Sequence, residues 1–393
     1  MMREDDPRHD VVVVGTGPAG LTACALLVAR GLRPAHVPGT RRAEVDPRTA
    51  ALMQSSLAIL ELLGVWPGAL IGEAAPLWRL RLIDETGRLV RSPSVTFDAR
   101  ELGDQPFGWN IPNEALSQAL QTLIAGQDIT VYDDAVVRWL EPRNGYTLAH
   151  LSDGRCLSAR AIIAADGAGS PCRSSAGIKT YGTVYQQQAI ATTFAHSEPH
   201  HDCSTERHRR CGPLTTVPLP GNRSSLVWMD SPLEVERLMA LDDRAFAAEL
   251  QQHVGEDLGE IGGIGPRHAF AAKTLIARQF AAKRVFLVGE AGHVLPPIGA
   301  QGLNLGVRDA KAAAWQIADA LAFGEDPGDE AQLAAYDQAR HRDILPRGIG
   351  VDLMNRSLLS GLLPAQAARA VALQALSRLG PLRRAIMQQG IGI

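Results

Sequence analysis

The sequence lacks a strong excess of charge of either sign. Lysine and arginine number 39, and aspartate and glutamate number 42, so the formal net charge is −3. Proteins that bind nucleic acid normally carry a basic patch, so the composition argues against a nucleic-acid partner. With 46% hydrophobic and 21% charged residues among 393, the chain is predicted to be globular and long enough for two or three domains.

Cysteine is scarce, and its pattern excludes a disulfide framework. The five cysteines lie at positions 24, 156, 172, 203 and 211 without a regular spacing. A sparse, odd-numbered set is typical of free thiols in a reducing compartment. We therefore expect a cytoplasmic protein.

A metal pattern is also missing. The segment HSEPHHDCSTERHRRC offers His200, His201, Cys203, His208 and Cys211, but their spacings do not match a structural zinc site. No metal is expected.

Long uncharged runs are rare, and the longest one needs an explanation. Val11 to Ala29 has 19 residues without a charge, close to the length that spans a bilayer. Three glycines and a proline in its first half weaken a continuous helix, and no signal-peptide pattern precedes a cleavage site. We interpret the segment as a buried strand followed by a helix.

What the chain does have is glycine at three strand ends, the first near the amino terminus. In DVVVVGTGPAGLTACALLVARG, a β-branched strand is followed by the G-x-G-x-x-G pattern of Gly15, Gly17 and Gly20 and by a predicted helix. Such a loop lets backbone amides approach a pyrophosphate at the helix amino end. The acid that usually binds ribose about twenty residues later is missing. Pro38 stands near that position, so either water or Arg41 replaces the acid or the ribose is held less tightly.

The second glycine segment is RAIIAADGAGSPCRSSAGI. Residues 161–165 are predicted to form a short buried strand, with the turn Asp166-Gly167 after it. Ser170 could start a helix that has Pro171 at its first position. Taken alone, the segment is best interpreted as a structural turn in which Arg173 is solvated.

The third segment, VFLVGEAGHVLPPIGAQGLNLGVRDA, places a lone acid, Glu290, directly after an apolar strand, where we expect a buried carboxylate. Five glycines and a proline pair follow or accompany it, and a long helix is predicted to begin near residue 301 or 302. Free amides at a helix start favour negative charge. The composition indicates a planar, electron-rich ring that lies over this loop. His293 is expected to brace the loop.

Together, these three segments resemble the fingerprints of class A flavoprotein monooxygenases, the para-hydroxybenzoate hydroxylase superfamily. Further segments, including DPRTAALMQSSLAILELLGVW, YQQQAIATTFAHSEPH and GPLTTVPLPGNRSSLVW, are similar to the branch that hydroxylates ubiquinone precursors. The resemblance covers residues 10–343, nearly the whole chain.

The resemblance implies FAD as cofactor and NAD(P)H as co-substrate. It implies that a C4a-hydroperoxyflavin hydroxylates an aromatic ring, with a polyprenyl phenol of ubiquinone biosynthesis as substrate. Glu290 stands where the family has an aspartate that bonds the ribityl chain. No catalytic residue is identified. The residues that the resemblance and the loops assign to cofactor binding are Gly15, Gly17, Pro18, Ala19, Gly20, Arg48, Asp166, Gly167, Gly289, Glu290, Pro297, Gly299, Gly302, Leu303 and Asn304.

The implied fold class is α/β: a Rossmann-like FAD-binding domain with a parallel sheet, interleaved with a mostly antiparallel substrate domain, plus carboxyl-terminal helices. The predicted ranges are 1–75, 105–177 and 281–345 for the FAD-binding domain, 76–104 and 178–280 for the substrate domain, and 346–393 for the helical tail.

The tail has apolar residues at helical spacing beside Arg369, Arg378, Arg383 and Arg384. Such a helix covers a core or lies on an anionic membrane surface, and we prefer the first interpretation. A peripheral membrane or biosynthetic-complex association would suit a polyprenyl substrate. The alternative functions are hydroxylation of another aromatic metabolite, reduction of a prenyl chain, and an accessory subunit that binds FAD weakly.

Overall fold

The structure is a computed structural model that describes residues 9–39, 46–87, 92–299, 301–359, 371–372, 374 and 379–391. Arg41, Arg369 and Arg378 lie outside the described residues.

The described residues form two large sheets, one small sheet and helices on their faces. The strands are β1 His9–Val14, β2 Ala35–Val37, β3 Thr49–Met53, β4 Ala75–Pro76, β5 Arg79–Asp84, β6 Val95–Asp98, β7 Gly108–Pro112, β8 Thr130–Val131, β9 Val137–Pro142, β10 Thr147–Leu151, β11 Cys156–Ala164, β12 Thr180–His196, β13 Cys203–Arg209, β14 Gly212–Leu219, β15 Arg223–Asp230, β16 Ile261–Gly262, β17 His268–Ala277, β18 Ala281–Ala282, β19 Val285–Leu287 and β20 His293–Val294. The helices are α1 Pro18–Ala29, α2 Gln54–Leu62, α3 Asn113–Ala125, α4 Pro171–Ser175, α5 Pro232–Ala240, α6 Asp243–Val254, α7 Gln301–Ala322, α8 Glu330–Leu359 and α9 Gly380–Ile391.

The first large sheet has a parallel centre. Its main order is β18-β19-β11-β1-β2-β8, and the pairs from β19 to β8 are parallel. The run Val11–Val14 is buried on both sides, as the β-branched pattern predicts for a central parallel strand. The uncharged segment from Val11 to Ala29 is therefore β1 followed by α1.

Helix α1 packs against α3 and α7. The crossing with α7 is close because the residues at the contact are small: a Cβ added to Gly306 would lie 3.3 Å from the Ala19 Cβ and from the Gly289 Cα. The same small residues thus join the first helix, the third glycine segment and α7.

The second large sheet is mostly antiparallel. Its main order is β20-β17-β12-β15-β14-β13-β5-β6, and only the pair β5–β13 is parallel among its described strands. One face, here called the outer face, carries Ile190, Leu214 and Trp228, which pack with α5 and α6. The opposite or inner face carries Ala189 and Met229, which pack with residues of other segments, as described below.

The small sheet β3-β7-β4 lies against the inner face. The Thr49 hydroxyl donates to the Ser225 hydroxyl at 2.8 Å, and the Asn110 amide donates to the Pro218 carbonyl at 2.8 Å. These bonds join the small sheet to the second large sheet through strands that precede and follow α2.

The predicted α/β fold class with an interleaved antiparallel sheet is confirmed. The predicted domain ranges stay a prediction, and two elements cross them. Strand β20 joins the second sheet although it lies within 281–345, and α8 runs through the boundary at 346 with Pro346 inside it. Consecutive pieces of chain thus contribute to both sheets.

The end of the chain packs on the second sheet. Met387 of α9 is buried in a cluster with Val95, Phe97 and Phe107, and Arg383 forms an ion pair with Glu101 at 2.7 Å. This part of the tail covers apolar surface, as the preferred interpretation expects. None of the described helices combines the length and hydropathy needed to cross a bilayer.

We predict that Phe246→Ala lowers the free energy of unfolding by about 3–5 kcal/mol. Phe246 of α6 is 0% exposed and fills the core between α6 and the outer face, so its loss leaves a cavity. Urea unfolding of both proteins measures the change.

The matched control is Leu233→Ala on α5, because Leu233 is 79% exposed. That variant should stay within about 0.5 kcal/mol of the wild type. An equal loss in both variants would contradict the assignment of Phe246 to the core.

Candidate active site

The three glycine segments meet at one edge of the parallel sheet. Val14, Ala164 and Leu287 are register partners at the carboxyl ends of β1, β11 and β19. The segments that follow these residues therefore leave the sheet side by side. The carboxyl edge of a parallel sheet is where nucleotides bind in open α/β folds.

The first segment needs glycine for two different reasons. Gly15 has φ +123°, and a Cβ there would collide with the Ala165 carbonyl of the neighbouring strand end; a Cβ on Gly20 would lie 2.7 Å from the Gly15 carbonyl oxygen. Gly17, in contrast, has extended backbone and faces open space, and Pro18 and Ala19 begin the helix behind it. Gly15 and Gly20 permit close packing, while Gly17 leaves room for a ligand beside the amides of the first helical turn.

A histidine that the sequence patterns did not single out supports this loop. The His36 Nε2 atom of β2 lies 2.9 Å from the Gly15 carbonyl oxygen, and the Gly15 amide donates to the Val37 carbonyl at 2.9 Å. Burial lowers the pKa of His36, which the bond to Gly15 and the charge of Asp133 only partly offset. His36 thus supports the turn, and it lies two residues before Pro38, which the sequence analysis places near the position of the missing ribose-binding acid.

The second segment leaves a carboxylate oxygen free for a ligand. Asp166 Oδ2 accepts from the Cys172 amide at 3.1 Å, whereas Oδ1 is buried and has no hydrogen-bond partner within the described ranges. Gly167 has φ +82° and open space where a side chain would stand. Buried polar atoms are rarely left unpaired, so Asp166 is suited to accept from a bound molecule.

The expectation that Arg173 is solvated was wrong. Ser170 does cap α4, as its sequence predicts, by accepting from the Arg173 amide at 2.9 Å. The Arg173 side chain is only 8% exposed, and it donates to the carbonyls of Ala291 and Ala168, at 2.8 Å each. Arg173 therefore ties the second segment to the third.

Glu290 of the third segment is exposed, so the expectation that it is a buried carboxylate was wrong. Its neighbour Gly289 has φ +60° and is buried. Glu290 lies near Arg48. The hydrogen bond from Arg48 to Asp46 is the main cause that raises the pKa of Arg48, and burial opposes it. The negative charges of Asp46 and Glu290 raise this pKa further. Arg48 thus stands beside the segment, with two 2.7 Å bonds to Asp46.

The buried carboxylate belongs to Asp309 on α7, which the sequence patterns did not reveal. Asp309 Oδ2 accepts from the Gly289 amide at 2.9 Å and lies 2.6 Å from His293 Nε2, and Oδ1 lies 2.6 Å from Arg340 of α8. Burial raises the pKa of Asp309, but the Arg340 and His293 charges and these hydrogen bonds outweigh it, so the pKa lies below the usual value of an aspartate. His293 therefore braces the loop, as expected.

The remainder of the third segment opens toward solvent at the start of α7. Pro297 is half-buried, Gly299 has φ +66°, and both Gly299 and Gly302 face open space. The amides of the first turn, including those of Gly302 and Leu303, have no partner within the helix. These groups can face the negative edge of a ring.

Asn304 acts mainly as a brace. Its Oδ1 atom accepts from the Met53 amide at 2.8 Å and the Ser56 hydroxyl at 2.7 Å, and its Nδ2 atom donates to the Ala51 carbonyl at 2.7 Å. The side chain holds the first turn of α7 against β3 and α2.

The edge fits a flavin nucleotide by its chemistry. At the start of α1, Gly17 leaves space for a ligand. Asp166 offers a buried carboxylate oxygen without a partner among the described residues. At the start of α7, free amides lie beside Gly299 and Gly302, which also leave space. The contacts of individual residues with FAD stay predictions. These predictions place the pyrophosphate at residues 15–20 and the flavin ring at residues 297–304. The part of FAD between these two groups is assigned to Arg48, Asp166, Gly167, Gly289 and Glu290.

The histidine and cysteine cluster has other partners. His200 Nε2 lies 2.9 Å from the Leu219 carbonyl oxygen, and His208 Nε2 lies 2.8 Å from Glu206 Oε1. The part of the chain that the structure describes contains no group of three or more potential ligands that could hold a metal ion.

Comparison with known proteins identifies the family. The model of a family described as FAD binding domain matches residues 8–344. A ubiquinone hydroxylase, UbiL of Rhodospirillum rubrum, is 33% identical over 98% of this chain and 90% of its own length. The chain belongs to this family of FAD-binding monooxygenases.

Further comparisons agree with this assignment, one in sequence and one in fold. A 3-demethoxyubiquinol 3-hydroxylase of Escherichia coli is 28% identical over 98% of both chains. The crystal structure of p-nitrophenol 4-monooxygenase PnpA from Pseudomonas putida superposes with a TM-score of 0.79 over 98% of both chains at 18% identity. The predicted resemblance and the prediction of FAD as cofactor are confirmed.

We predict that Gly17→Ala lowers the affinity for FAD at least about tenfold, equivalent to about 1.4 kcal/mol. The extended backbone of Gly17 accepts alanine, but the methyl group would enter the space assigned to the pyrophosphate. Titration of the apoprotein with FAD, followed by flavin fluorescence, measures the affinity.

Two further glycine variants control this experiment. Gly72→Ala also adds a methyl group into open space, away from the sheet edge, and should bind FAD normally. Gly15→Ala should lower the melting temperature of the apoprotein, because its Cβ meets a carbonyl group of β11's end. Normal FAD affinity in Gly17→Ala would exclude residue 17 from the cofactor site.

We also predict that Asp309→Asn lowers the free energy of unfolding by about 3 kcal/mol at neutral pH, because it removes the buried charge that pairs with His293 and leaves Arg340 with Asp343 alone. A carboxylate whose folded-state pKa is depressed stabilises the protein above its unfolded pKa, and the effect disappears as the pH falls through the folded pKa. The difference between the two proteins should therefore shrink below pH 3.8. Urea unfolding across a pH series measures it.

Asp319→Asn provides a control on the same helix. Its side chain is half exposed and pairs with Arg30, so the loss should be at most about 1 kcal/mol. A constant difference between wild type and Asp309→Asn at all pH values would show that charge is not the cause.

Proposed function

We propose that the protein is an FAD-dependent hydroxylase of an aromatic ring, acting on a polyprenyl phenol of ubiquinone biosynthesis with NAD(P)H and O₂. The observation that carries the proposal is the meeting of three loop segments at one sheet edge in a chain of this family. The ubiquinone hydroxylases among its relatives support the substrate class.

The proposed reaction is balanced by its co-substrates. NAD(P)H supplies two electrons, O₂ supplies the oxygen atom of the new hydroxyl group, and the other oxygen atom leaves as water. Bound FAD would supply the oxygen chemistry, and the protein supplies position, charge stabilisation and exclusion of water.

The chain's own groups suit these tasks. The first-turn amides of α7, near Gly302 and Leu303, can stabilise negative charge on the reduced ring. The buried Asp309 holds that helix and the Gly289 turn in fixed relation. The inner face of the second sheet, which packs against Ile298 of the third segment, forms the wall where a phenol would lie.

NAD(P)H would bind without a domain of its own, because only the first segment within the described ranges has the G-x-G-x-x-G loop between a strand and a helix. Asp166 is a predicted contact for either nucleotide. A substrate with a polyprenyl chain resides in membranes, so we further propose a peripheral association with a membrane or with a biosynthetic complex.

The decisive experiment separates reduction from oxygenation. FAD-loaded protein is reduced anaerobically with NADH or NADPH, with and without a phenol that carries a short prenyl chain, and is then mixed with ¹⁸O₂. We expect a product with one ¹⁸O atom in a new hydroxyl group, detected by mass spectrometry.

Intact flavin that is reduced but hydroxylates none of a panel of prenylated and simple phenols would contradict the proposal. Hydroxylation of a simple phenol alone would favour another aromatic metabolite. Protein that stays colourless at saturating FAD would favour the accessory-subunit alternative, for which Pro38 and the exposed Glu290 are the relevant features.

A further inference from the structure

Two buried ionisable residues, Glu206 and His208, stand on the inner face of the second sheet. The residue between them, Arg207, is the register partner of Leu214, which belongs to the outer face. Because side chains alternate along a strand, Glu206 and His208 of β13 point to the opposite side. Glu206 is 8% exposed and His208 is 2% exposed.

The pair lies on the same wall as the residues that touch the third segment. Glu206 pairs in register with Thr215, which pairs with Val227, and Val227 packs on the cluster that contains Met229 and Ile298. Two strand spacings separate Glu206 from Val227, roughly 10 Å. Ile298 lies between Pro297 and Gly299, the residues assigned to the flavin ring.

The geometry of the pair fixes the state of the imidazole. His208 Nε2 lies 2.8 Å from Glu206 Oε1, so it carries the proton that the carboxylate accepts. In the neutral ring, His208 Nδ1 is then an acceptor, and it is buried without a hydrogen-bond partner in the described part of the chain. Buried polar atoms normally have partners, so Nδ1 is suited to receive a proton from a ligand.

We propose that His208 is the base that deprotonates the phenol substrate and that Glu206 is the positioning residue that orients it. The inference rests on the proposed function and adds the catalytic group that the sequence patterns did not supply. It also gives a role to the histidine-rich segment in which no metal pattern was found.

The proton transfer conserves charge within the site. The phenol O–H bond breaks, its proton binds His208 Nδ1, and the oxygen keeps the electron pair as a phenolate. The Glu206 carboxylate stabilises the resulting imidazolium through Nε2–H, as carboxylates do for catalytic histidines. The phenolate enriches the ring in electrons for attack on the activated oxygen, and the proton is later released to solvent.

Among the described residues, the other charges near this part of the inner face have partners of their own; Asp352 of α8, for example, accepts from the Tyr185 hydroxyl and pairs with Arg356. Asp84 is the register partner of His208, and its carboxylate accepts from Thr86 and Ser92. The pair formed by Arg383 of α9 and Glu101 lies at the apolar cluster beside β5.

Other charged residues of these strands form ion pairs on the outer face. Arg81 and Arg207 bind Asp257, and Arg209 binds Asp230. Glu206 is thus the carboxylate that bonds directly to His208.

The first test measures the ionisation of a bound phenol and needs no turnover. The probe is 4-nitrophenol with one prenyl group, whose phenolate absorbs visible light, and tandem-cell difference spectra with oxidised, FAD-loaded protein cancel the flavin bands. The wild type should lower the apparent pKa of the bound probe by at least about one unit, a tenfold change in proton affinity. His208→Gln should bind it as the neutral phenol.

The second test measures rates. Positioned acid–base catalysis contributes about 10²–10⁴-fold, so His208→Gln should slow hydroxylation at least about 10²-fold, with flavin reduction unchanged and hydrogen peroxide released instead. Glu206→Gln should shift the pH profile of hydroxylation, and Glu206→Asp should restore part of the rate. His150→Gln is the matched control, because His150 also pairs with a glutamate, Glu141, on a distant sheet.

The outcomes separate the two proposals. The role of His208 would be overturned if the wild type and His208→Gln hydroxylate at equal rates, or if both bind the probe as phenolate to the same extent. Either result would leave the proposed function intact. A parallel loss of melting temperature and FAD affinity in His208→Gln would overturn the role of His208 in favour of a structural pair. Absence of hydroxylation in the wild type itself would overturn the proposed function.

Discussion

The candidate site depends on a single buried carboxylate. Asp309 accepts from the Gly289 amide, pairs with His293 and faces Arg340, so one side chain of α7 connects the end of a parallel strand, the loop after it and helix α8. A buried charge is costly unless it is paired and hydrogen-bonded. The loop can therefore expose glycines and amides at its open end because its closed end is fixed from behind.

Much of the fold followed from local patterns. The valine run of β1, the glycine loop after it and the proline at the start of α4 predict a strand, a turn and a helix, because each depends on neighbouring residues alone. The start of α7 at Gln301 was also predicted, since glycines and prolines end the preceding strand and apolar periodicity resumes there. The resemblance then ordered these elements into two interleaved sheets, which periodicity alone could not do.

The failures concern side chains whose partners are remote in sequence. Arg173 is solvated in a local view but is buried here, because Ala291 is 118 residues away in the chain and adjacent in space. Glu290 follows a buried strand, and yet it is exposed because the strand ends at the open edge of the sheet. The Glu206–His208 pair needed the register of three strands to reveal which face it shares, and sequence spacing does not contain that information.

The crossing of α1 and α7 has a consequence for how a dinucleotide is held. Ala19 lies beside the amides assigned to the pyrophosphate, Gly306 lies just inside the helix assigned to the ring, and Gly289 touches both. On the predicted assignment, the two halves of the cofactor would rest on helices that share one contact without flexible side chains between them. The spacing of the two half-sites would therefore be set before the cofactor binds, and little of its binding free energy would go into arranging them.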